Sequence, residues 1–455
     1  MPPDTSFGQG IAAGDVNNDG FDDLYIANIG SNRLLQNNGD GTFSDHTPAE
    51  IRLLSEWTTS CAIADLNLDG VSDLFDVTYS QDAEVFTRLC PTGPEQIPRS
   101  CRPDIFEGST DRLFLGDGAG SFAETALGEV IPADAGHGLG LVIGDFLEQG
   151  HCEVFISNDM TPNALLVAHQ EPGQALRFAD EALLRGVAVN GVGRIEACMG
   201  IAAGDVTGDG LTELFVTNFL EETNTLYSLK EGGVFQDISM VSGAAEDSLS
   251  MLGFGTQFLD ADRNGTMDLF LVNGHVDDFS HMGSEWKMKP AVYQNLGQGQ
   301  FRHLPNEALG AYGSVPQLGR AMAKLDWNRD GREDLVMTHL DRAPALLQNN
   351  TMSVGKALTF RLVGTTSTRH PAGAVLRLTV ENSGERRQVV SHLTAGDGYY
   401  CSNEHVLSFS MLPNDRIKGL QVRWPSGLTD SFEDVAETGD WLAVESCPRL
   451  FDLTK

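Results

Sequence analysis

The stretch DVNNDGFDDLYIAN, from Asp15 to Asn28, places four carboxylates, two side-chain amides and a glycine within its first nine residues. Carboxylates packed this closely repel one another unless a cation offsets their charge. Gly20, at position six, allows the sharp turn that brings the flanking groups towards one centre. Hard oxygen ligands at alternate positions are typical of a calcium loop. Here the donors fall at positions one, three, five, seven and nine: Asp15, Asn17, Asp19, the carbonyl group of Phe21, and Asp23.

The flanking sequence distinguishes this loop from an EF-hand, which needs a Glu at position twelve and a helix on each side. Here the strand-forming run Leu24-Tyr25-Ile26-Ala27 follows the ninth position directly. The stretch therefore predicts a calcium loop between two β-strands. The alternative is an ordinary polar turn without metal, since Asp, Asn and Gly favour turns as well.

The loop recurs along the chain, and this repetition favours the metal-binding interpretation. A decayed copy, DFLEQGHCE from Asp145, has Leu147 and Gln149 at two donor positions, so we expect that site to be empty or weak. The other copies keep their donors, and the sequence thus predicts about five calcium sites. Their predicted donors, with a carbonyl group at position seven, are Asp65, Asn67, Asp69, Val71 and Asp73; Asp205, Thr207, Asp209, Leu211 and Glu213; Asp260, Asp262, Asn264, Thr266 and Asp268; Asp326, Asn328, Asp330, Arg332 and Asp334.

Each loop belongs to a longer repeat. A small or apolar strand precedes it, as in FGQGIAAG, and a second strand follows it, as in DLYIAN. A third strand comes next, and often a glycine turn that ends in Phe, as in GDGTF, GAGSF and GQGQF. Four short strands per unit, at a period of about 50 to 80 residues, predict propeller blades. We therefore expect an all-β fold, with a β-propeller of six or seven blades over residues 1–350 and a smaller β-rich domain over residues 351–455.

The cysteines allow a few specific expectations. Cys90 and Cys101 lie in an insertion of roughly residues 79–110, which we predict to be a surface loop closed by a disulfide between them. Cys61 and Cys152 lie in strand-like stretches and are expected to be buried as small apolar residues. The sequence does not assign the remaining three; a bridge between Cys401 and Cys447 is one option, and Cys198 has no evident partner.

Three further stretches carry a resemblance to a known family: RHPAGA from Arg369, GDGYY from Gly396 and VRWPSG from Val422. Together with the Asp/Gly loops they make the chain similar to the cartilage acidic protein family and its bacterial relatives. The blades resemble the FG-GAP (VCBS-type) repeats of integrin-like propellers, and the second domain resembles the module named after acidic secreted cartilage protein and UnbV (ASPIC/UnbV). Thr368 stands where the resemblance leads us to expect Asn, and such relatives usually begin with an export signal and further propeller sequence.

The resemblance implies a secreted or surface-exposed calcium-binding protein that acts in adhesion or interaction, with a protein or glycan as its partner. The UnbV name also marks relatives in enediyne biosynthetic gene sets. An alternative function is therefore that of an enzyme or accessory protein in secondary-metabolite biosynthesis.

The composition and the N-terminal residues limit the classes of partner and the cellular compartments that we expect for this protein. The chain has 64 acidic and 30 basic residues, a net charge of −34, which repels nucleic acid and anionic lipid. No apolar run reaches about 18 residues, so we expect no nucleic-acid partner and no membrane span. Residues 1–7 do not form a signal peptide. Either the native chain starts earlier and the protein is extracellular or periplasmic, where calcium is plentiful, or the protein is cytoplasmic.

A candidate ligand face lies at the end of the propeller opposite the loops. The residues five places beyond the ninth loop position are Asn28, Thr78, Asn158, Asn218, Asn273 and His339. They are either turn residues that bond their own backbone or a polar ring around the propeller mouth. In the second case the ligand-binding residues would include His137, His275, Arg320 and His339.

The sequence assigns no catalytic residue. No Gly-x-Ser-x-Gly elbow or His-x-His spacing occurs, and no cofactor besides calcium is indicated. We therefore favour a binding protein with structural calcium, and the alternative enzyme would have its site at the same mouth.

Overall fold

Strands dominate the structure, a computed structural model that describes residues 7–53, 56–91, 96–125, 136–169, 177–433 and 435–454. They form where apolar and β-branched residues run between glycine-rich and Asp-rich turns. The predicted all-β class is confirmed, as is the order of a propeller followed by a smaller β-rich domain.

Six sheet units, one for each Asp-rich loop, form the blades of the propeller in the described part of the chain. In every blade the loop joins the first strand to the second, and the third strand pairs with the second. Five blades have four strands and the sixth has three.

In chain order the blades are β1 (Phe7–Gly14), β2 (Asp23–Ile29), β3 (Arg33–Asn37) and β4 (Phe43–Asp45); β5 (Trp57–Ala64), β6 (Asp73–Ser80), β7 (Arg112–Gly116) and β8 (Phe122–Thr125); β9 (Gly138–Gly144), β10 (Glu153–Asn158), β11 (Ala164–His169) and β12 (Arg177–Asp180); β13 (Cys198–Gly204), β14 (Glu213–Asn218), β15 (Thr225–Lys230) and β16 (Val234–Asp237); β17 (Gly253–Leu259), β18 (Asp268–Asn273), β19 (Ala291–Asn295) and β20 (Phe301–His303); β21 (Gly319–Leu325), β22 (Asp334–His339) and β23 (Ala345–Leu347).

The second domain contains two four-stranded sheets. They share one apolar core, in which Trp424 is fully buried and donates from Nε1 to Asp430 at 2.8 Å. In chain order the strands of this part of the chain are β24 (Lys356–Val363), β25 (Val375–Asn382), β26 (Glu385–His392), β27 (Ala395–Gly396), β28 (Leu407–Met411), β29 (Arg416–Arg423), β30 (Thr429–Phe432), β31 (Gly439–Val444) and β32 (Leu450–Asp452). The two sheets are ordered β28-β24-β31-β32 and β26-β25-β29-β30, and β27 belongs to neither.

Helices are few and short. The α-helices are α1 (Ala49–Arg52), α2 (Ala182–Arg185), α3 (Ser239–Ser242) and α4 (Gly310–Gly313), and 3-10 turns lie at Ala83–Phe86, Pro103–Ile105, Ser248–Ser250, Ser280–Met282 and Asn306–Leu309. Among the described residues, no helix has the length and apolar character needed to span a membrane.

The second domain packs on the loop end of the propeller. The glycine at position six of each Asp-rich loop faces it. Gly70 needs a left-handed backbone, at φ 82°, and a Cβ there would also overlap the carbonyl oxygen of Thr366. At Gly331 a Cβ would lie 2.8 Å from the Cβ of Ala357, in β24. These glycines therefore allow both the sharp turn and the close approach of the second domain.

A segment of the second domain enters the centre of the propeller. This finger, residues 394–404, adds β27 to the edge of β9, where Ala395 is paired with Ile143. It then exchanges two main-chain hydrogen bonds between Gly398 and Ile201, at 2.6 and 2.9 Å. On its way back it contacts the sixth blade, since the N–H of Glu404 donates to the carbonyl of Lys324. The finger thus lies against first strands from several blades, along the propeller axis.

The cysteines follow part of the expectation. Cys90 and Cys101 form the predicted disulfide, and Cys61 and Cys152 are buried as expected. The option of a bridge between Cys401 and Cys447 is wrong, because both thiols are free. Cys401 lies in the finger, where its Sγ is 3.2 Å from the carbonyl oxygen of Met322, while Cys447 follows β31 in the second domain. Cys198 is also free and is buried in the fourth blade.

Candidate functional site

The Asp-rich loops share one backbone geometry. In the first loop, Asp15 accepts hydrogen bonds from the N–H groups of Asp19 and Gly20, at 3.2 and 2.9 Å. Position four is left-handed, with Asn18 at φ 58°, and so is Gly20 at φ 92°. The position-one carboxylate is thereby folded into the loop. The same kind of bond is accepted by Asp65, Asp145, Asp205, Asp260 and Asp326.

The side chain at the ninth loop position links each loop to its blade through hydrogen bonds. Asp23 accepts from the N–H of Val16 at 3.2 Å and from the N–H of Asn37, in the third strand, at 2.8 Å. Asp73 and Asp334 make the corresponding pairs of bonds. The side chain at this position therefore joins the loop to the second and third strands.

The oxygen donors of the five intact loops have the chemistry that calcium prefers. Burial, helped by neighbouring carboxylates, raises the pKa of Asp65 and Asp260 to about 6. In the first loop, Asn17 donates to Asp19 at 2.9 Å. In the described ranges, no three His, Cys, Asp or Glu side chains form a group that could hold a metal ion. The loops supply suitable oxygen donors, but their carboxylates are not gathered into such a group. Calcium binding by them therefore stays a prediction.

The third loop, which lacks two donors, has a different partner. Arg423, from the second domain, donates from Nη1 to Oδ2 of Asp145 at 2.7 Å. Arg377, also from the second domain, pairs with Glu148 in the same loop. A guanidinium group therefore supplies the positive charge at this loop.

At the opposite end, which we call the mouth, most of the predicted ring residues are bonded to their own turns. Asn28 donates to the carbonyl of Ser31 at 2.7 Å, and Asn158 donates to that of Pro162 at 2.7 Å. Asn218 donates to the carbonyl of Thr223 in the same way, whereas Asn273 donates to that of Lys289, outside its own turn. Three of these four side chains therefore have the geometry of turn-capping residues.

Three of the four candidate ligand residues lie around one aromatic cluster. His137 is buried, its Nδ1 lies 2.8 Å from the carbonyl oxygen of Tyr79, and burial lowers its pKa. Arg320 lies over the ring of Phe254, at 4.0 Å from the ring centroid, and donates to the carbonyl of His275 at 3.4 Å. His339 lies apart, with its Nε2 2.8 Å from the hydroxyl of Tyr312.

The aromatic cluster receives the tip of the finger. Tyr399 and Tyr400 stack at 3.9 Å, and Tyr399 meets Phe254 edge-on at 5.1 Å. Tyr400 has a left-handed backbone, at φ 57°, a strained conformation that its surroundings must hold. Sequence reasoning noted GDGYY as a motif but missed its place at the mouth, because that place depends on the docking of two domains.

Further mouth residues were also missed. Trp57 stacks at a tilt on Tyr79, with centroids 4.6 Å apart, and the hydroxyl of Tyr79 donates to Asp159 at 2.8 Å. Burial raises the pKa of Asp159 to about 6, and the charges of Glu222 and Asp104 add to the shift. A single Trp, Tyr or Asp near the end of a strand forms no recognisable sequence motif, so the sequence alone does not identify these residues as part of the mouth.

The disulfide-closed insertion crosses the mouth. It leaves the second blade after Ser80, and its Ser100 donates from the N–H and the hydroxyl to Asp277 of the fifth blade, at 3.2 Å. Arg99 lies 5.4 Å from the ring centroid of Phe279, in the same loop. The mouth is thus bordered by this crossing loop on one side and by the finger tip on the other.

Comparisons with known proteins agree with this architecture. The FG-GAP-like repeat matches residues 15–75 and 205–271, and the family "ASPIC and UnbV" matches residues 364–446. The chain therefore combines FG-GAP-like repeats with an ASPIC/UnbV domain. No curated protein matches the chain.

Similarity to solved structures is distant. A lectin of Agrocybe aegerita that recognises non-reducing terminal N-acetylglucosamine is 15% identical, with a TM-score of 0.42, over 77% of this chain and 82% of that one. The BP39L lectin of Burkholderia pseudomallei is 11% identical, with a TM-score of 0.40, over 93% and 98%. The rhamnogalacturonan lyase YesX is 14% identical, with a TM-score of 0.38, over 93% and 67%. At this distance none of them bears on what the present chain binds.

Proposed function

We propose that the protein is a calcium-stabilised binding protein of the extracellular or periplasmic space, related to the cartilage acidic protein family, that holds a glycan at the mouth of its propeller. The observation that carries this proposal is the position of the finger tip. It brings Tyr400 into one cluster with Trp57 and Phe219, each partly exposed, beside Arg320.

The mouth has the mixed character of a sugar-binding surface. Partly exposed aromatic rings offer flat apolar faces with polar edges, and a few fixed polar groups give orientation. The guanidinium of Arg320 has five N–H donors, and its three hydrogen bonds go to the main-chain carbonyls of Gly274, Gly319 and His275. The remaining N–H groups can therefore donate hydrogen bonds to sugar oxygens.

Calcium has a structural role in this proposal. The intact loops collect carboxylates beneath the second domain, and a bound divalent ion would relieve their repulsion. The disulfide between Cys90 and Cys101 in the crossing loop suits an oxidising compartment.

A glycan array probed with the purified protein in millimolar calcium, followed by calorimetry on the glycan that binds most strongly, tests the proposal. We expect Trp57→Ala and Arg320→Gln each to weaken binding by about tenfold or more. Trp327→Ala is the matched control, because Trp327 is 63% exposed and follows Asp326 at the loop end. Binding that survives both mouth substitutions, or that falls equally with Trp327→Ala, would contradict the proposal.

A second candidate, an enzyme or accessory protein of secondary-metabolite biosynthesis, is favoured by Asp159 alone. Its pKa is raised to about 6 beside the Tyr79 hydroxyl, and perturbed carboxyl groups are frequent at catalytic sites. Elemental analysis of the purified protein separates the two candidates. Stoichiometric copper, iron or zinc beside calcium would favour the enzyme, with His137, His275 and His339 as the first residues to replace.

A further inference from the structure

The sixth blade has an open edge. Its sheet is ordered β21-β22-β23, whereas each of the other five blades pairs its third strand with a fourth. Within the described residues, no strand pairs with β23 on the side away from β22. An edge strand of this kind presents unpaired N–H and C=O groups and is a template for a further strand.

The repeat shows where the fourth strand would begin. Asn349, just after β23, donates from its N–H to Asp334 at 2.7 Å and from Nδ2 to the carbonyl of Ala261 at 3.0 Å. In the fifth blade, Asn295 makes the corresponding bonds to Asp268 and Val206, both at 2.9 Å. Asn349 is therefore the structural equivalent of Asn295.

After this asparagine the two blades diverge. The fifth blade continues as NLGQGQF and returns as β20, with Asn295 paired antiparallel to Phe301. The sixth continues as NNTMSVG into β24 of the second domain. The glycine turn and the phenylalanine of the repeat have no counterpart in this segment.

The phenylalanine has the same role in blades two to five. It is the residue of the fourth strand that packs between its own blade and the preceding one, and it is at most 8% exposed. Phe301, for example, lies in one apolar cluster with Phe215 of blade four and Leu269 of blade five. The residues concerned are Phe122, Phe178, Phe235 and Phe301.

The corresponding place between blades five and six is a groove of about 620 Å³. Leu259, Phe270, Val292, Leu335 and Leu347 line it. The groove is continuous with the apolar interface of these two blades, because the same side chains belong to that interface cluster. It therefore lies where the repeat places a fourth-strand phenylalanine in its other blades.

We propose that this groove and the edge of β23 bind an extended segment of a partner protein, which adds a fourth strand antiparallel to β23 and inserts a phenylalanine into the groove. Main-chain pairing supplies affinity in such β-strand addition, and the side-chain pocket supplies specificity. Glu307, an exposed carboxylate, also lines the groove, so a basic residue beside the phenylalanine is favoured over an acidic one. The site is separate from the mouth and does not depend on the function proposed for it.

The probe for this site is a fluorescent synthetic peptide with the sequence GQGQFRHL, which is residues 297–304 of the fifth blade. We expect saturable binding to the full-length protein by fluorescence anisotropy. The same peptide with alanine in place of its phenylalanine should bind about tenfold more weakly or worse, because the groove is then left unfilled.

Two protein variants test the position of the peptide. Ala308→Trp fills the groove from its exposed wall. Gln348→Pro removes an N–H group from the open edge of the sixth blade. The equivalent residue of the fifth blade, Gln294, is paired with Arg302 of the fourth strand. Both variants should lose peptide binding while keeping the melting temperature of the parent protein to within a few degrees. Leu340→Trp, at a 66% exposed position beyond β22, is the control and should bind normally.

Three results would overturn the proposal. The first is no saturable binding of the peptide, and the second is equal binding by folded Ala308→Trp and Gln348→Pro. The third is a concentration-dependent dimer in analytical ultracentrifugation that Ala308→Trp abolishes, since a second copy of the chain would then fill the groove.

Discussion

Arg423 places its guanidinium 2.7 Å from Asp145, in the Asp-rich loop that has lost two of its oxygen donors. The two residues are 278 positions apart in the chain, one in each domain. The Asp145 side chain is 2% exposed and that of Arg423 is 21% exposed, so the pair is largely shielded from water. A protein cation thus lies at the loop that the sequence predicts to bind calcium weakly or not at all.

Arg423→Ala should lower the free energy of unfolding by about 2–4 kcal/mol, because it leaves the buried carboxylate without its cation. The loss should be the same in calcium and in chelator, since we expect this loop to bind calcium weakly or not at all. Denaturant unfolding in both buffers measures it. Arg386→Ala, which breaks the exposed pair with Glu381, is the control and should cost less than about 1 kcal/mol. A loss that appears only in calcium would contradict the prediction.

Asp69→Ala should remove one calcium ion of about five and leave the protein folded. Each occupied site stabilises the native state by roughly 1–3 kcal/mol when calcium is ten- to a hundredfold above its dissociation constant. Chelation should therefore lower the melting temperature of the parent protein by many degrees, and the shift should be smaller in the variant.

Calorimetric titration and elemental analysis count the ions. Gln149→Ala changes the same position of the third loop, so it should alter neither the count nor the shift. Equal stability of the parent protein in chelator and in millimolar calcium would refute the structural role of calcium.

Much of the fold could be predicted because the repeat is local. Positions one, six and nine of each loop determine the turn between the first two strands, and these residues lie within nine positions of one another. The docking of the domains could not be predicted. Arg423 and Thr366 resemble ordinary surface residues until the six loops are assembled into one face.

The mouth was predicted only in part for the same reason. His275 and Arg320 come from strand ends that the repeat orders, so their proximity follows from the blade pattern. Tyr400 reaches the mouth from the second domain, and Ser100 reaches Asp277 from an insertion outside the repeat. Contacts made by unrepeated segments leave no periodic signal in the sequence.

Asp159→Asn should stabilise the protein at neutral pH. The folded-state pKa of Asp159 is about 6 and its ordinary value is 3.8, so the folded state holds this proton more tightly than the unfolded state. The contribution of Asp159 to the free energy of unfolding therefore falls as the pH rises from about 4 to about 6. Above about pH 6 the buried carboxylate is ionised and destabilises the folded state in full. The variant removes up to about 3 kcal/mol of this cost, and its carbonyl oxygen can still accept from Tyr79.

Unfolding free energies measured between pH 4 and 8 check this. The curve of the variant should be flatter than that of the parent protein across pH 4–6. Asp278→Asn is the control, because that exposed carboxylate has a lowered pKa. Parallel curves for Asp159→Asn and the parent protein would show that this carboxyl does not titrate as argued.

Gly398→Ala should displace the finger from the propeller axis. Gly398 has a left-handed backbone, at φ 102°, and a Cβ there would lie 2.7 Å from the thiol of Cys401 and 2.8 Å from the carbonyl oxygen of Met322. Backbone strain and overpacking together should cost about 2–5 kcal/mol. Gly419→Ala is the matched control in the same domain, because nothing lies within 4 Å of the added methyl group. Thermal unfolding and limited proteolysis of residues 394–404 measure the stability of both variants. A Gly398→Ala protein that is as stable and as resistant to proteolysis as the control would show that the finger is not held at the centre of the propeller.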